Sequence, residues 1–254
     1  MSRVSLTEKN AGVPETLVLL HGFAGTHRAW DLVVPELDRE RYRPILPDLR
    51  GHGTKGTVRA ICFDDCVRDV LAQAPERFAL CGYSFGGRVA QHVALQAPGR
   101  VTRLVLVSTS GGLEDPAERA ARRAEDEALA DEVAGMSGER FADRWQAQPV
   151  FAGTPPEAAR WWRADLLRND PRGLAEALRT LGPGAMEPVW SRLAALTMPV
   201  TVVVGERDAK FLAHARRYLE LLPDARLVVI PGAGHGLPRE APAELAAAIA
   251  DRPA

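Results

Sequence analysis

Short, continuous runs of apolar residues alternate along this chain with longer stretches in which apolar residues recur every three or four positions. Continuous apolar runs of this length are typical of strands buried on both faces of a parallel sheet, and the longer period is typical of helices packed against one. The predicted strands are residues 16–20, 42–46, 78–82, 103–108, 200–205 and 226–232. The predicted helices lie near residues 28–38, 61–74, 85–97, 210–222 and 239–250. This alternation predicts an α/β fold with a mostly parallel, doubly wound sheet.

One long segment interrupts the alternation. Between about Gly111 and Trp190 the chain carries no strand pattern, only a helical pattern rich in Ala, Arg and Glu. We expect this segment to form a helical cap over the carboxyl edge of the sheet, where ligands of open α/β sheets bind. The chain is therefore divided into a core, residues 1–110 and 191–254, and a cap, residues 111–190.

Composition narrows the classes of partner. The 254 residues are 46% hydrophobic with a formal net charge of -1, which suits one large soluble domain and favours neither a nucleic acid nor a membrane surface as partner. The first ten residues lack the apolar core of a secretory signal, and no apolar stretch approaches the roughly 18 residues of a membrane span. We expect a cytoplasmic protein. Its oligomeric state is left open, a homo-oligomer included.

The cysteine count points to the same compartment. Three cysteines are an odd number, and they lack the spacing of zinc ligands. All three lie in segments with helix or strand pattern. We expect Cys62, Cys66 and Cys81 to be reduced thiols in or near the core.

The clearest chemical signal is a serine flanked by glycines. Ser84 stands in the stretch GYSFGG, directly after a predicted strand and directly before a predicted helix. A glycine-flanked serine alone is common in turns, but the strand-turn-helix context is the one that a nucleophile elbow requires. We interpret Ser84 as an activated serine and a structural turn serine as the weaker alternative.

A serine hydroxyl needs a histidine to take its proton. Of the six histidines, only His235 follows the last predicted strand in a glycine-rich loop, and His92 and His214 lie inside predicted helices. The orienting acid should follow another strand end between serine and histidine in chain order. The strand at 200–205 is followed by Glu206 and Asp208; Asp208 lies further into the loop and is preferred, with Glu206 as a bystander or cap.

Developing negative charge needs donors close to the serine. A nucleophile elbow uses the backbone N–H of the residue after the serine and one N–H from the loop after an early strand. These are Phe85 and Phe23, the latter in the stretch LLHGFAG. Phe23 can also be a buried aromatic residue at a turn, since the donor is backbone.

Together these motifs resemble those of the α/β-hydrolase superfamily, over nearly the whole chain. The stretches that carry the resemblance are LHGFAG, PDLRGHG, GYSFGGRVA, GERD and AGHG. A narrower resemblance, to the 2-succinyl-6-hydroxy-2,4-cyclohexadiene-1-carboxylate synthases of menaquinone biosynthesis, is carried by GYSFGGR, GERDAKF, GLEDPAERAARRAEDEALA, FADRWQAQPVF and LLRNDPRGLAEALR. Two positions differ from that family: Pro238, where a second histidine is common, and Arg50, where proline is common.

The narrower resemblance implies a lyase. Such an enzyme uses the triad to abstract a proton from a small carboxylated substrate, which then eliminates pyruvate, with no metal and no organic cofactor. It also implies which residues bind the substrate: Tyr83, Arg88, Arg122, Trp145 and Arg168. Each has an ordinary alternative, surface ion pairing for Arg122 and Arg168 and a structural anchor for Trp145.

Two other functions stay open at this point. A serine hydrolase, a carboxylesterase or C–C bond hydrolase, would use the same triad through an acyl-enzyme. A catalytically silent binding module on this fold would not need the triad at all.

Overall fold

A six-stranded sheet forms the centre of the described chain, which in this computed structural model comprises residues 13–58 and 62–251. Its strands lie in the order β2-β1-β3-β4-β5-β6, and each neighbouring pair is parallel. The predicted α/β fold with a parallel sheet is therefore confirmed. The strands are β1 (Glu15–Leu20), β2 (Tyr42–Ile45), β3 (Phe78–Tyr83), β4 (Val101–Val107), β5 (Val200–Gly205) and β6 (Ala225–Ile230).

The strand order reverses between β1 and β3. After β1 the chain moves to one edge of the sheet to form β2, and it then crosses back to form β3 on the other side of β1. The loops that follow β1 and β3 therefore leave toward opposite faces, which opens a crevice at the carboxyl ends of these two strands. Gly22 follows β1 and Ser84 follows β3, so both border this crevice.

Both faces of the sheet are covered. In β1, Val18 and Leu20 pack into one hydrophobic core, and the alternate residues Leu17 and Leu19 pack into the other. Burial on both faces removes the need for polar residues on alternate positions, which explains the continuous apolar runs. The first core is completed by α1 (Phe63–Gln73), α2 (Phe85–Gln96) and α7 (Ala209–Leu221), and the second mainly by α9 (Pro242–Ala250).

Proline divides two of the predicted helices. The helix predicted near residues 28–38 is two 3₁₀ turns, His27–Trp30 and Val34–Glu36, because Pro35 lacks the N–H of an α-helical bond and disfavours helical geometry in the residue before it. The predicted C-terminal helix is likewise α8 (Leu237–Glu240) followed by α9, which begins at Pro242. Residue 61, where the second helix was predicted to begin, lies outside the described residues.

The segment from 111 to 190, all of it described, contains helices and no strand, as its pattern predicts. Buried apolar residues of these helices, among them Phe141 and Leu174, form a third small core together with Ala24 from the loop after β1. The segment is therefore packed on the rim of the sheet next to the crevice. Its helices are α3 (Pro116–Ala134), α4 (Gly138–Gln146), α5 (Pro156–Leu166) and α6 (Pro171–Leu181).

The three cysteines are free thiols in different surroundings. Cys66 and Cys81 are buried, as predicted, and burial raises the pKa of the Cys66 thiol to about 12. The prediction is wrong for Cys62, which is exposed. It stands just before α1, where its thiol donates to the Asp65 carboxylate on the first turn instead of entering the core.

Within residues 13–58 and 62–251, no helix combines the length and the apolar character needed to cross a bilayer. Helix α3 has 19 residues, but most of its turns carry charged side chains. The first ten residues, for which no secretory signal is predicted, lie outside these ranges.

Candidate active site

Ser84 occupies a strained turn between β3 and α2. Its φ of 52° and ψ of -110° lie in a region that residues with a side chain rarely adopt. The turn is held because the Ser84 N–H donates to the Val107 carbonyl at 2.8 Å, while its own carbonyl accepts from the Thr109 hydroxyl at 2.7 Å. These hydrogen bonds hold Ser84 at the turn between β3 and α2, at the carboxyl edge of the sheet.

The glycines around Ser84 allow three backbone segments to meet. A Cβ atom on Gly82 would lie 2.3 Å from the Gly86 carbonyl oxygen, and one on Gly86 would lie 2.3 Å from the carbonyl oxygen of Leu20. No side chain fits at either distance. The glycine-flanked pattern therefore reports the close approach of β1, β3 and α2 at this point.

Three side chains that are distant in sequence meet above this turn. His235 Nε2 lies 3.1 Å from Ser84 Oγ, and His235 Nδ1 lies 2.7 Å from Asp208 Oδ2. A carboxylate can only accept, so Nδ1 carries the proton and Nε2 is left to accept from the serine hydroxyl. His235 and Asp208 are each only 5% exposed, so water does not compete for this hydrogen bond.

The neighbouring candidates are used elsewhere. Glu206 accepts from the Gly232 N–H at 2.8 Å, on the exposed side of the loop. His21 is buried, contacts the Gly22 carbonyl through Nδ1, and accepts from the Leu49 N–H through Nε2. Burial lowers the pKa of His21. These contacts distinguish Asp208 and His235 from the other acids and histidines considered.

A cavity of about 420 Å³ opens directly above Ser84 and His235. Its floor is formed by residues at the carboxyl ends of β1, β3 and β4, and its roof comes from the helical segment that follows β4. Trp145 of α4 lies in this roof, and its ring centroid is 4.8 Å from that of Phe23 in the floor. The helical segment thus covers the carboxyl edge of the sheet at the crevice.

The two backbone groups predicted as charge-stabilising donors flank the serine. Phe85 is the first residue of α2, and Phe23 lies in the loop after β1; both line the cavity. The loop runs close to the elbow, since a Cβ atom built on Gly22 would lie 3.6 Å from Ser84 Cβ. The Phe23 and Phe85 rings contact each other edge to face, with their centroids 6.3 Å apart.

Four of the five residues predicted to bind substrate line the cavity: Tyr83, Arg88, Arg122 and Trp145. The Arg88 guanidinium is buried, donates to the Leu181 carbonyl at 2.8 Å and lies over the Phe85 ring. Burial, with a smaller contribution from Arg122, lowers the pKa of Arg88 to about 10, so Arg88 remains charged at neutral pH. Arg122 donates through Nε to Asp126 at 2.8 Å.

Arg168 lies apart from the other four predicted residues. It is exposed in the turn between α5 and α6 and lies outside the set of described residues that line the cavity. Its neighbour Asn169 turns inward, because its amide is bonded to the Ala24 carbonyl. The predicted role of Arg168 as a substrate-binding residue stays a prediction; in this structure its side chain is exposed outside the lining of the cavity.

Sequence reasoning also missed residues of the cavity. Lys210 and Phe211 follow Asp208 at the start of α7, and Thr109 and Ser110 follow β4 at the same edge of the sheet. Their positions just after strand ends were a usable signal, since such positions border the crevice. Other missed residues lie in the helical segment and had no such signal, among them Gln146, Gln148, Phe151 and Trp162.

Comparison with models of protein families agrees with this fold. Residues 17–248 match the model of the alpha/beta hydrolase family, and the chain belongs to that family. The broader resemblance seen in the sequence is therefore confirmed.

Particular relatives narrow this class. The chain is 33% identical to the 2-succinyl-6-hydroxy-2,4-cyclohexadiene-1-carboxylate synthase of Escherichia coli O1:K1 / APEC over 238 residues, which cover 92% of each protein. The structure of MenH from S. aureus matches with a TM-score of 0.87 and 30% identity over 94% of this chain and 93% of that one. A thermophilic esterase from Thermogutta terrifontis matches with a TM-score of 0.76 and 28% identity over 94% and 89%.

Proposed function

We propose that this chain is a 2-succinyl-6-hydroxy-2,4-cyclohexadiene-1-carboxylate synthase, a lyase of menaquinone biosynthesis. Its substrate would be 2-succinyl-5-enolpyruvyl-6-hydroxy-3-cyclohexene-1-carboxylate, and its second product pyruvate. The similarity to a synthase of that name extends over the helical segment as well as the sheet. That matters because the fold alone supports many reactions.

The observation that carries the proposal is the charge of the cavity. Arg88, Arg122 and Lys210 line it, and none of its described lining residues is acidic. The succinyl, enolpyruvyl and ring carboxylate groups give the substrate three negative charges. Guanidinium groups bind carboxylates through paired, charge-assisted hydrogen bonds, so this lining suits that ligand better than a neutral ester.

Ser84, His235 and Asp208 would act as a proton-transfer triad. The change from a 3-ene to a 2,4-diene requires loss of the proton at C2 and of the enolpyruvyl group at C5. Ser84 Oγ takes the C2 proton while its own hydroxyl proton passes to His235 Nε2. Asp208 holds the imidazole in the tautomer that can accept that proton and stabilises the imidazolium that forms.

The backbone N–H groups of Phe23 and Phe85 would stabilise the intermediate. Removal of the C2 proton places negative charge on the adjacent succinyl carbonyl oxygen. Electrons then move into the ring and expel the enolpyruvyl oxygen, and a proton returned from His235 completes pyruvate. Donors already fixed beside Ser84 lower the energy of the charged state without reorganisation.

Four residues of the cavity lining would orient the substrate: Tyr83, Arg88, Arg122 and Trp145. Lys210 also lines the cavity and is exposed to solvent. Arg88 lies on the helix that begins at the elbow, so a carboxylate bound to it is held close to Ser84. Trp145 supplies an apolar face for the ring. In this proposal residues 111–190 form the cap, and residues 1–110 and 191–254 form the core. The enzyme needs no cofactor and is located in the cytoplasm.

The decisive assay is release of pyruvate from the enolpyruvyl cyclohexene substrate, followed with a coupled dehydrogenase. A panel of short-chain p-nitrophenyl esters is measured in parallel. We expect pyruvate release that depends on Ser84 and ester turnover that is slower by orders of magnitude. Ester hydrolysis with an acyl-enzyme burst and no pyruvate release would replace this proposal with the serine-hydrolase alternative.

A further inference from the structure

The loop that carries Phe23 is held in place by side chains of the helical segment. Within this loop, residues 22–26, the Thr26 N–H donates to Asp165 Oδ2 at 3.0 Å and the Thr26 hydroxyl donates to Asp165 Oδ1 at 2.5 Å. One turn further on, Asn169 Nδ2 donates to the Ala24 carbonyl at 2.7 Å. The loop is thus bonded at Thr26 by a carboxylate and at Ala24 by an amide, both from the helical segment.

The loop needs such support because its backbone is strained. Ala24 has a φ of 59°, in the left-handed region that favours glycine, and its methyl group is fully buried in the small core of the helical segment. A residue with a side chain persists in that region only when its surroundings fix it there. Ala24 directly follows Phe23, so a relaxation of its φ would rotate the peptide group next to the Phe23 N–H.

Both supporting residues are buried, and both bond to the loop that carries Phe23. Asp165 is 2% exposed and Asn169 is 7% exposed. The Asn169 Oδ1 atom also accepts from the Gly53 N–H at 2.9 Å, so this one amide joins the end of α5 to the loops after β1 and after β2. Neither residue is among the described residues that line the cavity. Their hydrogen bonds therefore act on the loop and not on a ligand.

We infer that Asp165 and Asn169 are positioning residues. They hold the Phe23 N–H at the distance and orientation to Ser84 that a charge-stabilising donor needs, so that the helical segment contributes to charge stabilisation. This inference rests on the proposed function in one respect, the use of the Phe23 N–H as a donor. If the two residues act in this way, the rate of catalysis depends on the position of α5 relative to the core, independently of how the substrate carboxylates are bound.

The test compares Asp165→Asn and Asn169→Asp with Arg163→Ala. Each conservative variant weakens one support of the loop: an amide at position 165 replaces one of the two oxygens that accept from Thr26 with an NH2 donor, and a carboxylate at position 169 cannot donate to the Ala24 carbonyl. Arg163 lies on the same helix but forms an exposed ion pair with Asp143. Val133→Ala, in the buried core of the same segment, is the control for general destabilisation.

Two readouts are measured at a temperature where all variants are folded. The first is the kcat and KM of pyruvate release. The second is the rate at which a fluorophosphonate labels Ser84, in which Ser84 Oγ displaces fluoride and the phosphoryl oxygen occupies the donor site. We expect Asp165→Asn and Asn169→Asp to lower kcat and the labelling rate by roughly 10- to 100-fold with KM nearly unchanged, as for a misplaced oxyanion donor.

Arg163→Ala and Val133→Ala should leave both rates within about twofold of wild type after correction for the folded fraction. Loss of thermal stability in Asp165→Asn and Asn169→Asp without any change in labelling rate would overturn the inference. So would failure of the wild-type serine to label. Because labelling needs no cyclohexene substrate, an absence of pyruvate release in the wild type would overturn the proposed function and leave this result separately readable.

Discussion

His235 Nε2 lies 3.1 Å from Ser84 Oγ across a separation of 151 residues in the chain. That distance is within hydrogen-bond reach, and the other ring nitrogen is bonded to the carboxylate of Asp208 at 2.7 Å. In the proposed mechanism the three groups share one proton-transfer path, so their contributions to turnover should not be additive.

Ser84→Ala should reduce kcat for pyruvate release by about 10⁴-fold or more, since in the proposed mechanism it removes the group that takes the substrate proton. Ser191→Ala, at an exposed serine, is the matched control and should be indistinguishable from wild type. Adding His235→Ala to Ser84→Ala should cost little more than Ser84→Ala alone. A Ser84→Ala protein that keeps most of its pyruvate release would remove Ser84 from the mechanism.

Asp208→Asn should reduce kcat by about 10⁴-fold, because an amide donor facing Nδ1 favours the wrong imidazole tautomer. Glu206→Gln is the control at the alternative acid, which bonds the Gly232 N–H and not His235. We expect it to change kcat by less than about threefold, measured in the same assay. The reverse pattern would assign the orienting role to Glu206.

Arg122→Gln should raise KM for the carboxylated substrate roughly tenfold and change kcat less. A hydrogen bond to a charged group contributes about 1.5–3 kcal/mol, and the expected effect lies at the low end because Arg122 also forms an ion pair with Asp126. Arg168→Gln should leave KM unchanged, because Arg168 is exposed outside the cavity lining. Steady-state kinetics on the two variants, both checked for folding by circular dichroism, separate these outcomes. A raised KM in Arg168→Gln alone would contradict the placement of this turn.

Lys210→Gln should lower kcat/KM several-fold and weaken its dependence on ionic strength. Lys210 is exposed at the cavity, so its charge acts mainly by attracting the anionic substrate, an effect that salt screens within about 10 Å at 0.1 M. Lys210→Arg keeps the charge and should restore both quantities. Rates measured between low and moderate salt check this, and an unchanged salt dependence in Lys210→Gln would exclude steering by this residue.

The free energy of unfolding should fall as the pH is lowered from about 6.5 toward 3. Burial lowers the pKa of His52 from 6.5 to about 3, so between these values the unfolded chain binds a proton at this residue that the folded chain does not. The stabilisation is complete above pH 6.5 and is lost as the pH falls, by about 1.4 kcal/mol per pH unit from this residue.

Urea unfolding from pH 7 to pH 4 measures this dependence. His52→Asn should flatten the slope by about the amount given for one proton, whatever its effect on stability at pH 7. His27→Asn is the control for loss of a histidine that is partly exposed, since the His27 side chain lies at the surface beside Asp48. Equal slopes for wild type and His52→Asn would contradict the assignment to His52.

The predictable part of the fold came from local patterns with a physical cause. Apolar runs such as residues 200–205 became strands because both faces of the sheet are buried. The helix near residues 28–38 was mispredicted, since its apolar spacing suits a helix but Pro35 interrupts the hydrogen-bond ladder. Local pattern therefore located the elements and was least dependable where a proline lies inside one.

For the site, the sequence by itself determined the elements that border the crevice: the glycine-flanked Ser84, and the loops after β5 and β6 that carry Asp208 and His235. These follow from chain order and strand ends, because the carboxyl ends of parallel strands meet at one edge. Only the tertiary structure decided that Arg88 and Arg122 face the cavity while Arg168 faces solvent, and that Asp165 and Asn169 reach back to the loop of Phe23. A helix pattern specifies which side of a helix is apolar, but its angle and seat on the core depend on packing between segments far apart in the chain.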